Sequence, residues 1–433
     1  MVTGGAPGGI EVVTLGCRLN IVESEAMRAA ATAAGHDDLV VVNSCAVTAE
    51  AVRQTRQAIR GAARRRPGAE IVLTGCAAEV EPGLAAMAEV SRTLPNAGKT
   101  APEAWARPGA TVPAPRPGPA FGPGAAGGHT RGFVEIQNGC DHRCTFCIIP
   151  FGRGASRAVP PERVVAEVRR LVAAGAAEAV LTGVDVTSYA APDGTRLGGL
   201  LKRVLREVPE LPRLRLSSID CIEADPDLLD VVAGEPRFMP HLHLSLQHGA
   251  DLILKRMKRR HSRAEAVAFC AAVRRLRPGL ALGADLIAGF PTETEAEAAQ
   301  SLALVEECDI AFLHVFPFSA RPGTPAARMP PVPGERVRAR AAALREAGAA
   351  ALARHLDGHL GRRRAVLAER GGRGRTEDFS AVRLDEGIAP GRIVTLAIAG
   401  HDGRELRGAP EGRVRLTAPA PTPSGPRPRG RGR

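Results

Sequence analysis

At 433 residues and 44% hydrophobic content, the chain is too long for one ordinary core and organises as two or three globular domains. No apolar run reaches membrane-spanning length, and Met1 to Gly9 lacks the basic and apolar regions of a secretory signal, so a cytoplasmic protein without a membrane anchor is expected. A formal charge of +12, carried almost wholly by Arg, favours a polyanionic partner, and nine cysteines in so large a chain point to metal or redox chemistry, not to a disulfide framework.

Segment 1–99 reads as repeated strand–helix units. Ile10 to Leu15, Leu39 to Val42 and Ile71 to Thr74 are apolar, β-branched runs. The helical patterns Val22 to Ala34 and Thr48 to Arg65 follow the first two, and Pro82 with an Ala-rich helix follows the third. Strands alternating with helices predict a parallel sheet covered on both faces. Segment 100–128 turns to Pro, Gly and Ala and is expected to be a linker, with Trp105 packing locally.

A second α/β series occupies 129–360. Strands are predicted at Phe133–Gln137, Ala179–Thr182, Leu214–Ser218, His241–Leu246, Gly283–Ala288 and Ala311–Pro317. Helices include Pro161–Ala174, Leu200–Val208, Arg263–Arg275 and Glu295–Cys308. Six βα units predict an open, partial (β/α)6 barrel, closed by a long helix from Pro333 to Leu360. Segment 361–420 shows short alternating stretches (Ala365–Ala368, Phe379–Leu384, Ile393–Ile398, Arg413–Leu416), the pattern of a small β-barrel. The basic tail 421–433 is expected to be disordered, as a solvated tail or a loose RNA contact.

The sharpest signal is Gly139-Cys140-Asp141-His142-Arg143-Cys144-Thr145-Phe146-Cys147, a C-x3-C-x2-C loop directly after the first barrel strand. Thiolates are the usual ligands of iron–sulfur clusters, and a cubane needs four. Three leave one iron open to chelate a substrate, at the strand end where barrel chemistry is expected. A structural zinc site is the competing reading, but it wants four ligands, and His142 lies inside the loop.

Cys17, Cys45 and Cys76 form a second set: each sits just past the carboxyl end of a predicted parallel strand, the edge at which open α/β sheets bind ligands. Three thiolates converging there would hold another cluster; buried structural thiols or an oxidised pair are the alternatives. Asn20 has a plain reading as a helix cap and a sharper one as a group orienting that cluster. Cys221, Cys270 and Cys308 show no ligand spacing; the last two fall on helices as small buried hydrophobes.

On these residues the chain resembles the methylthiotransferases, radical S-adenosylmethionine (SAM) enzymes with an N-terminal cluster domain, a radical SAM domain and a C-terminal TRAM domain. The resemblance is carried by Thr14-Leu15-Gly16-Cys17-Arg18-Leu19-Asn20, Val42-Asn43-Ser44-Cys45-Ala46-Val47-Thr48, Leu73-Thr74-Gly75-Cys76 and the Cys140–Cys147 loop with Ile148-Ile149-Pro150. Arg153-Gly154, Leu181-Thr182-Gly183-Val184-Asp185 and Ala284-Asp285-Leu286-Ile287-Ala288-Gly289-Phe290-Pro291 extend it. It implies two [4Fe-4S] clusters, one on Cys17, Cys45 and Cys76 that carries sulfur, and one on Cys140, Cys144 and Cys147 that cleaves SAM to a radical. One SAM would methylate the sulfur, and the radical would open C2 of an adenine to receive the methylthio group.

Within the family, His243-Leu244-Ser245-Leu246-Gln247-His248-Gly249, Leu254 to His261, Leu313-His314-Val315-Phe316-Pro317 and Arg321-Pro322-Gly323-Thr324-Pro325 look most like the branch acting on N6-threonylcarbamoyladenosine at position 37 of tRNA. Branches acting on N6-isopentenyladenosine or on a ribosomal-protein aspartate compete, as does a non-catalytic iron–sulfur RNA sensor. By resemblance, Gly183, Asp185, Arg153 and Asp285 are candidates to bind SAM or substrate. Against these stand a tight turn for the first two, a satisfied barrel carboxylate for Asp285 and, for Arg153 with Arg157, a surface position. The Lys255–Arg260 cluster is either a tRNA phosphate contact or a solvated helix face. A monomer is expected, and the sequence identifies neither sulfur donor nor electron donor. Departures are the Pro/Gly-rich linker, Ala77 and Ala78 where the family is often bulkier, and only 3% aromatic residues.

Overall fold

The computed structural model describes residues 2–3, 9–106, 130–385 and 387–410. Most of the expected linker, the strand expected at Arg413–Leu416 and the basic tail lie outside the described residues.

The N-terminal sheet runs in the order Val2–Thr3, Ile10–Thr14, Leu39–Ser44, Glu70–Gly75, Arg92–Thr93, parallel except at its first pair. Its central strand is buried at every residue, as an apolar run sandwiched between two layers must be. Alternate side chains feed two cores. Val12, Val41 and Val72 meet Met27 and Ala31 of helix Arg18–Ala33, while Val40, Val42 and Leu73 meet Val52 and Ile59 of helix Ala49–Arg65. Thr48 caps the second helix by accepting from Ala51 N at 3.1 Å. Trp105 is buried in the first of these cores and donates to Lys99 O at 2.8 Å. From Cys76 the chain forms two short helices, Cys76–Val80 and Pro82–Ala85, where an Ala-rich helix was expected with Pro82; Glu81 and the proline at the second start separate them.

Six parallel strands follow in sequence order: Gly132–Glu135, Glu178–Thr182, Arg213–Leu216 continued by Ser218–Ile219, His241–Gln247, Ala281–Ala288 and Ile310–Pro317. The third breaks at Ser217, its first part pairing with the second strand and its remainder with the fourth. No ladder joins the first strand to the sixth among the described residues, so the barrel is open on one side. Helices Arg263–Leu276 and Glu295–Glu307 begin with complete capping boxes, Ser262 with Glu265 and Thr294 with Glu297. Helix Gly334–Asp357 packs along the last strand and leads into a closed five-stranded barrel of Arg363–Glu369, Arg373–Arg375, Ala381–Arg383, Leu406–Pro410 and Ile393–His401.

The N-terminal sheet is fastened to both margins of the opening. Helix Arg18–Ala33 lies against the first barrel strand, while Ala49 N donates to Ser319 Oγ at 3.0 Å and Arg321 pairs with Glu81 beyond the last strand. At the barrel end where strands begin, Phe379 from the small C-terminal barrel stacks on His241 (5.1 Å between centroids) and Phe312 (6.4 Å). Arg215 holds that loop by donating to Glu377 O at 3.1 Å.

Candidate active site

Two of the three N-terminal cysteines, Cys17 and Cys76, leave their strands through a forced turn. Gly16 and Gly75 have φ of +94° and +92°, and a Cβ on Gly16 would lie 2.8 Å from Cys45 Sγ. Cys17 is exposed, while Cys45 and Cys76 are buried. Asn20 is not a cap: the helix is capped by Cys17 without a side-chain bond. Buried Asn20 instead donates to Leu15 O (2.6 Å) and Ser44 O (3.2 Å), tying the Cys17 loop to the Cys45 loop, and its Oδ1 faces Cys17 Sγ at 3.8 Å. Asn96 donates to Cys76 Sγ at 3.7 Å, a contact no sequence signal marked.

The second triad stands opposite. Burial pushes Cys140 and Cys147 up to about 12, with Asp185 and then the neighbouring thiols adding to it at Cys140, and Cys144 and the nearby Cys76 adding to it at Cys147. Burial pushes Cys45 up to about 11, with Cys76 and Cys17 adding to it, and raises Cys76 too. Thiolates gathered this closely repel one another, and a cationic metal centre removes that cost. Neither triad brings its three Sγ atoms within 4.8 Å of one another, among the described residues. Tetrahedral zinc with 2.3 Å bonds needs sulfurs about 3.8 Å apart. The donor set is therefore too wide for one zinc ion and fits a cubane cluster with one iron left free.

His142 is held by carboxylates and by Arg260, whose Nη2 lies 2.7 Å from its Nε2. Its Nε2 lies 2.8 Å from Asp185 Oδ2 and 3.5 Å from Glu223, and hydrogen bonding to both raises the imidazolium to about 10. Asp185 itself faces Cys140 Sγ at 3.8 Å, and its backbone N–H donates to Gln137 Oε1 at 2.9 Å. Gly183 is required there, since a Cβ would lie 2.6 Å from Gln137 O.

One expectation changes outright. Arg153, expected at the SAM or substrate carboxylate, is buried and paired with Glu23 at 2.8 Å, and it also bonds Asn20 and Asn138. Glu23 pairs Lys99 as well, at 2.7 Å. Burial opposes the charge on Glu23, yet Lys99 and Arg153 hold its carboxyl below the usual range. Within the expected phosphate-binding cluster, Arg259 bonds Asp220 and Ser245 O, both at 2.7 Å, and approaches Cys144 Sγ at 3.8 Å. Arg260 bonds Glu223 at 2.6 Å. Both therefore brace the cluster loop, leaving Lys255 and Lys258 exposed. Arg157 is exposed and donates to the carbonyls of Arg153 and Ala155. Asp285 lies on the barrel wall between His243 (2.8 Å) and His314 (3.1 Å). Cys221, Cys270 and Cys308 are buried.

Two family models match: the Radical SAM superfamily over residues 134–305 and Uncharacterized protein family UPF0004 over residues 9–93. The chain is 43% identical to a protein of Rickettsia prowazekii named threonylcarbamoyladenosine tRNA methylthiotransferase MtaB, over 90% of this chain and 94% of that one. It is 34% identical to a tRNA-2-methylthio-N(6)-dimethylallyladenosine synthase of Sorangium cellulosum, over 83% and 81%. The radical SAM methyltransferase TsrM of Kitasatospora setae, solved with cobalamin and a [4Fe-4S] cluster, shares the fold at a TM-score of 0.52 and 17% identity, over 70% of this chain and 68% of that one.

Proposed function

The chain belongs to the radical SAM tRNA methylthiotransferases, and on that premise we propose that its two cysteine triads divide the reaction between them. It methylthiolates N6-threonylcarbamoyladenosine of tRNA, using SAM and two [4Fe-4S] clusters. We assign the modification to C2 of the base at position 37. Cys140, Cys144 and Cys147 hold the cluster whose open iron binds SAM, and Cys17, Cys45 and Cys76 hold the one that presents sulfur. When bound, these groups supply reductive cleavage of SAM and the sulfur atom, chemistry unavailable to side chains. The protein's residues orient and enclose: Asn20 and Asn96 fix the sulfur-side loops, while His142, Asp185 and Arg259 fix the SAM-side loop. Gly183 and Asp185, beside Cys140, would contact SAM when it is bound, and Asp285 on the barrel wall would face the substrate. The monomeric chain acts in the cytoplasm; no described helix is long and apolar enough to cross a membrane.

The observation that carries this assignment is the facing of the two triads, with Cys76 packed against Gly152 just past the SAM-side loop and Asn96 bonding both Cys76 Sγ and Gly152 O. Anaerobic reconstitution tests it. Wild type should hold about eight irons per chain and Cys17→Ala/Cys45→Ala/Cys76→Ala about four. About four in both would make the N-terminal cysteines structural and remove the sulfur-presenting role.

A further inference from the structure

The ring of Phe379 lies among four guanidinium groups. The Cζ atoms of Arg375, Arg215, Arg131 and Arg18 stand 4.6, 4.9, 5.1 and 6.0 Å from its centroid. Three have carboxylates: Arg215 pairs with Glu178 at 3.0 Å, and Arg131 and Arg375 share Glu369 at 3.0 and 3.8 Å. Arg18 has neither an ion-pair nor a hydrogen-bond partner among the described residues. Two further donors beside it are unsatisfied: Arg131 Nη1 and Arg215 Nη1 are buried and unpartnered among the described residues, and the Arg215 side chain is 1% exposed.

Four guanidinium groups crowded round one ring repel one another, and unpaired buried donors add to the cost. An anion entering the cavity completes both accounts of charge and hydrogen bonding. The place of Arg18 says where that anion sits. It follows Cys17 directly and lies over Phe379, whose ring stands 5.1 Å from that of His241, itself 6.4 Å from His243, so the free cation stands between the sulfur-side triad and the barrel wall of His243, Asp285 and His314.

We propose that Arg18, with the spare donors of Arg131 and Arg215, binds the carboxylate of the threonyl arm and so selects threonylcarbamoyladenosine over isopentenyladenosine. The proposal rests on the tRNA methylthiolation assigned above. The two substrates share an adenine and differ in the arm on N6, which ends in a carboxylate in one and is wholly hydrocarbon in the other. A guanidinium fork bonds a carboxylate in two parallel hydrogen bonds, whereas a hydrocarbon arm would leave the cations desolvated and unpaired. Arg18 is thus a specificity-determining residue.

The test uses reconstituted enzyme and an anticodon stem-loop RNA carrying threonylcarbamoyladenosine, either as the free acid or as its methyl ester. Affinity by fluorescence anisotropy and kcat/KM for methylthio product are measured for wild type, Arg18→Gln and Arg18→Lys. Wild type should prefer the acid by about 10- to 100-fold, the scale of one charge-assisted hydrogen bond. Arg18→Gln should lose that preference through weaker acid binding, and Arg18→Lys should keep part of it. Because each variant is compared on two RNAs, a general loss of folding or of cluster cancels from the ratio. Equal weakening of both RNAs by Arg18→Gln would assign the anion to a backbone phosphate and overturn the proposal. Equal use of acid and ester by wild type would overturn it too, with tRNA methylthiolation standing. Product on isopentenyladenosine RNA and none on the acid would instead overturn the assigned substrate.

Discussion

Gly16 shows how closely single residues set this site. Its φ of +94° disfavours any side chain by about 1–2 kcal/mol, and a Cβ would press on Cys45 at 2.6 Å from its Cβ. Gly16→Ala should therefore displace one ligand of the sulfur-side cluster while leaving the other triad intact. Iron per reconstituted chain should drop toward half, with the thermal midpoint lowered by only a few degrees; full iron retention would show that the Cys45 loop can yield. The cysteines themselves were legible in the sequence, because each closes an apolar β-branched run or a compact C-x3-C-x2-C loop. Arg153 was not. Its partners Glu23 and Asn20 lie 130 and 133 positions away, and no local pattern announces a pairing made only when two sheets dock.

Strands and helices were easier to read than the bonds between them. All six barrel strands were legible from short runs rich in apolar side chains, as strands with buried faces need, although the last is buried only at its start. The short pieces escaped: the residues of strand Arg373–Arg375 are Arg, Gly and Arg, and helix Pro226–Gly234 is a brief stretch between two better-marked strands. Where strands four, five and six run side by side, Asp285 bonds His243 and His314. Burial alone would raise this carboxyl, but the two imidazoles overcome it and hold it at about 2. A carboxyl depressed from its ordinary 3.8 to about 2 contributes stability above the higher value and loses it as pH falls through the lower. Acid unfolding should thus steepen between about pH 4 and pH 2. Asp285→Asn should cost up to about 2 kcal/mol at neutral pH and flatten the curve in that window, as chemical denaturation at stepped pH would report. An unchanged pH slope would mean the carboxylate gains nothing from its histidines.

At the scale of the whole molecule, the reaction needs two sites on separate sheets held at one distance, and Glu23 is the buried ionic join between those sheets. This buried carboxylate neutralises Lys99 on its own side and Arg153 from the barrel, 2.7 and 2.8 Å away. Arg153 begins beyond the SAM-side loop and ends beside Asn20, which braces Cys17 and Cys45, so one ionic group links both triads. Three sheets were legible from changes in periodicity along the chain, but their arrangement was not, because the contacts that set it, polar at Glu23 and Glu81 and apolar at Ile148 and Ile21, join residues remote in sequence. Glu23→Gln leaves two desolvated cations unmatched, a change that costs about 3–5 kcal/mol when one member of a buried ionic group is lost. The cost falls on the docking, not on either sheet, since both cores are built from other residues. Calorimetry should therefore resolve two unfolding transitions in Glu23→Gln where wild type gives one, with the earlier belonging to the N-terminal sheet. Iron binding at Cys140, Cys144 and Cys147 should persist, while methylthio product falls by a larger factor than SAM cleavage, since cleavage needs one site and transfer needs both. A single transition at the wild-type midpoint, or equal loss of cleavage and transfer, would show that the sheets are aligned by some other contact.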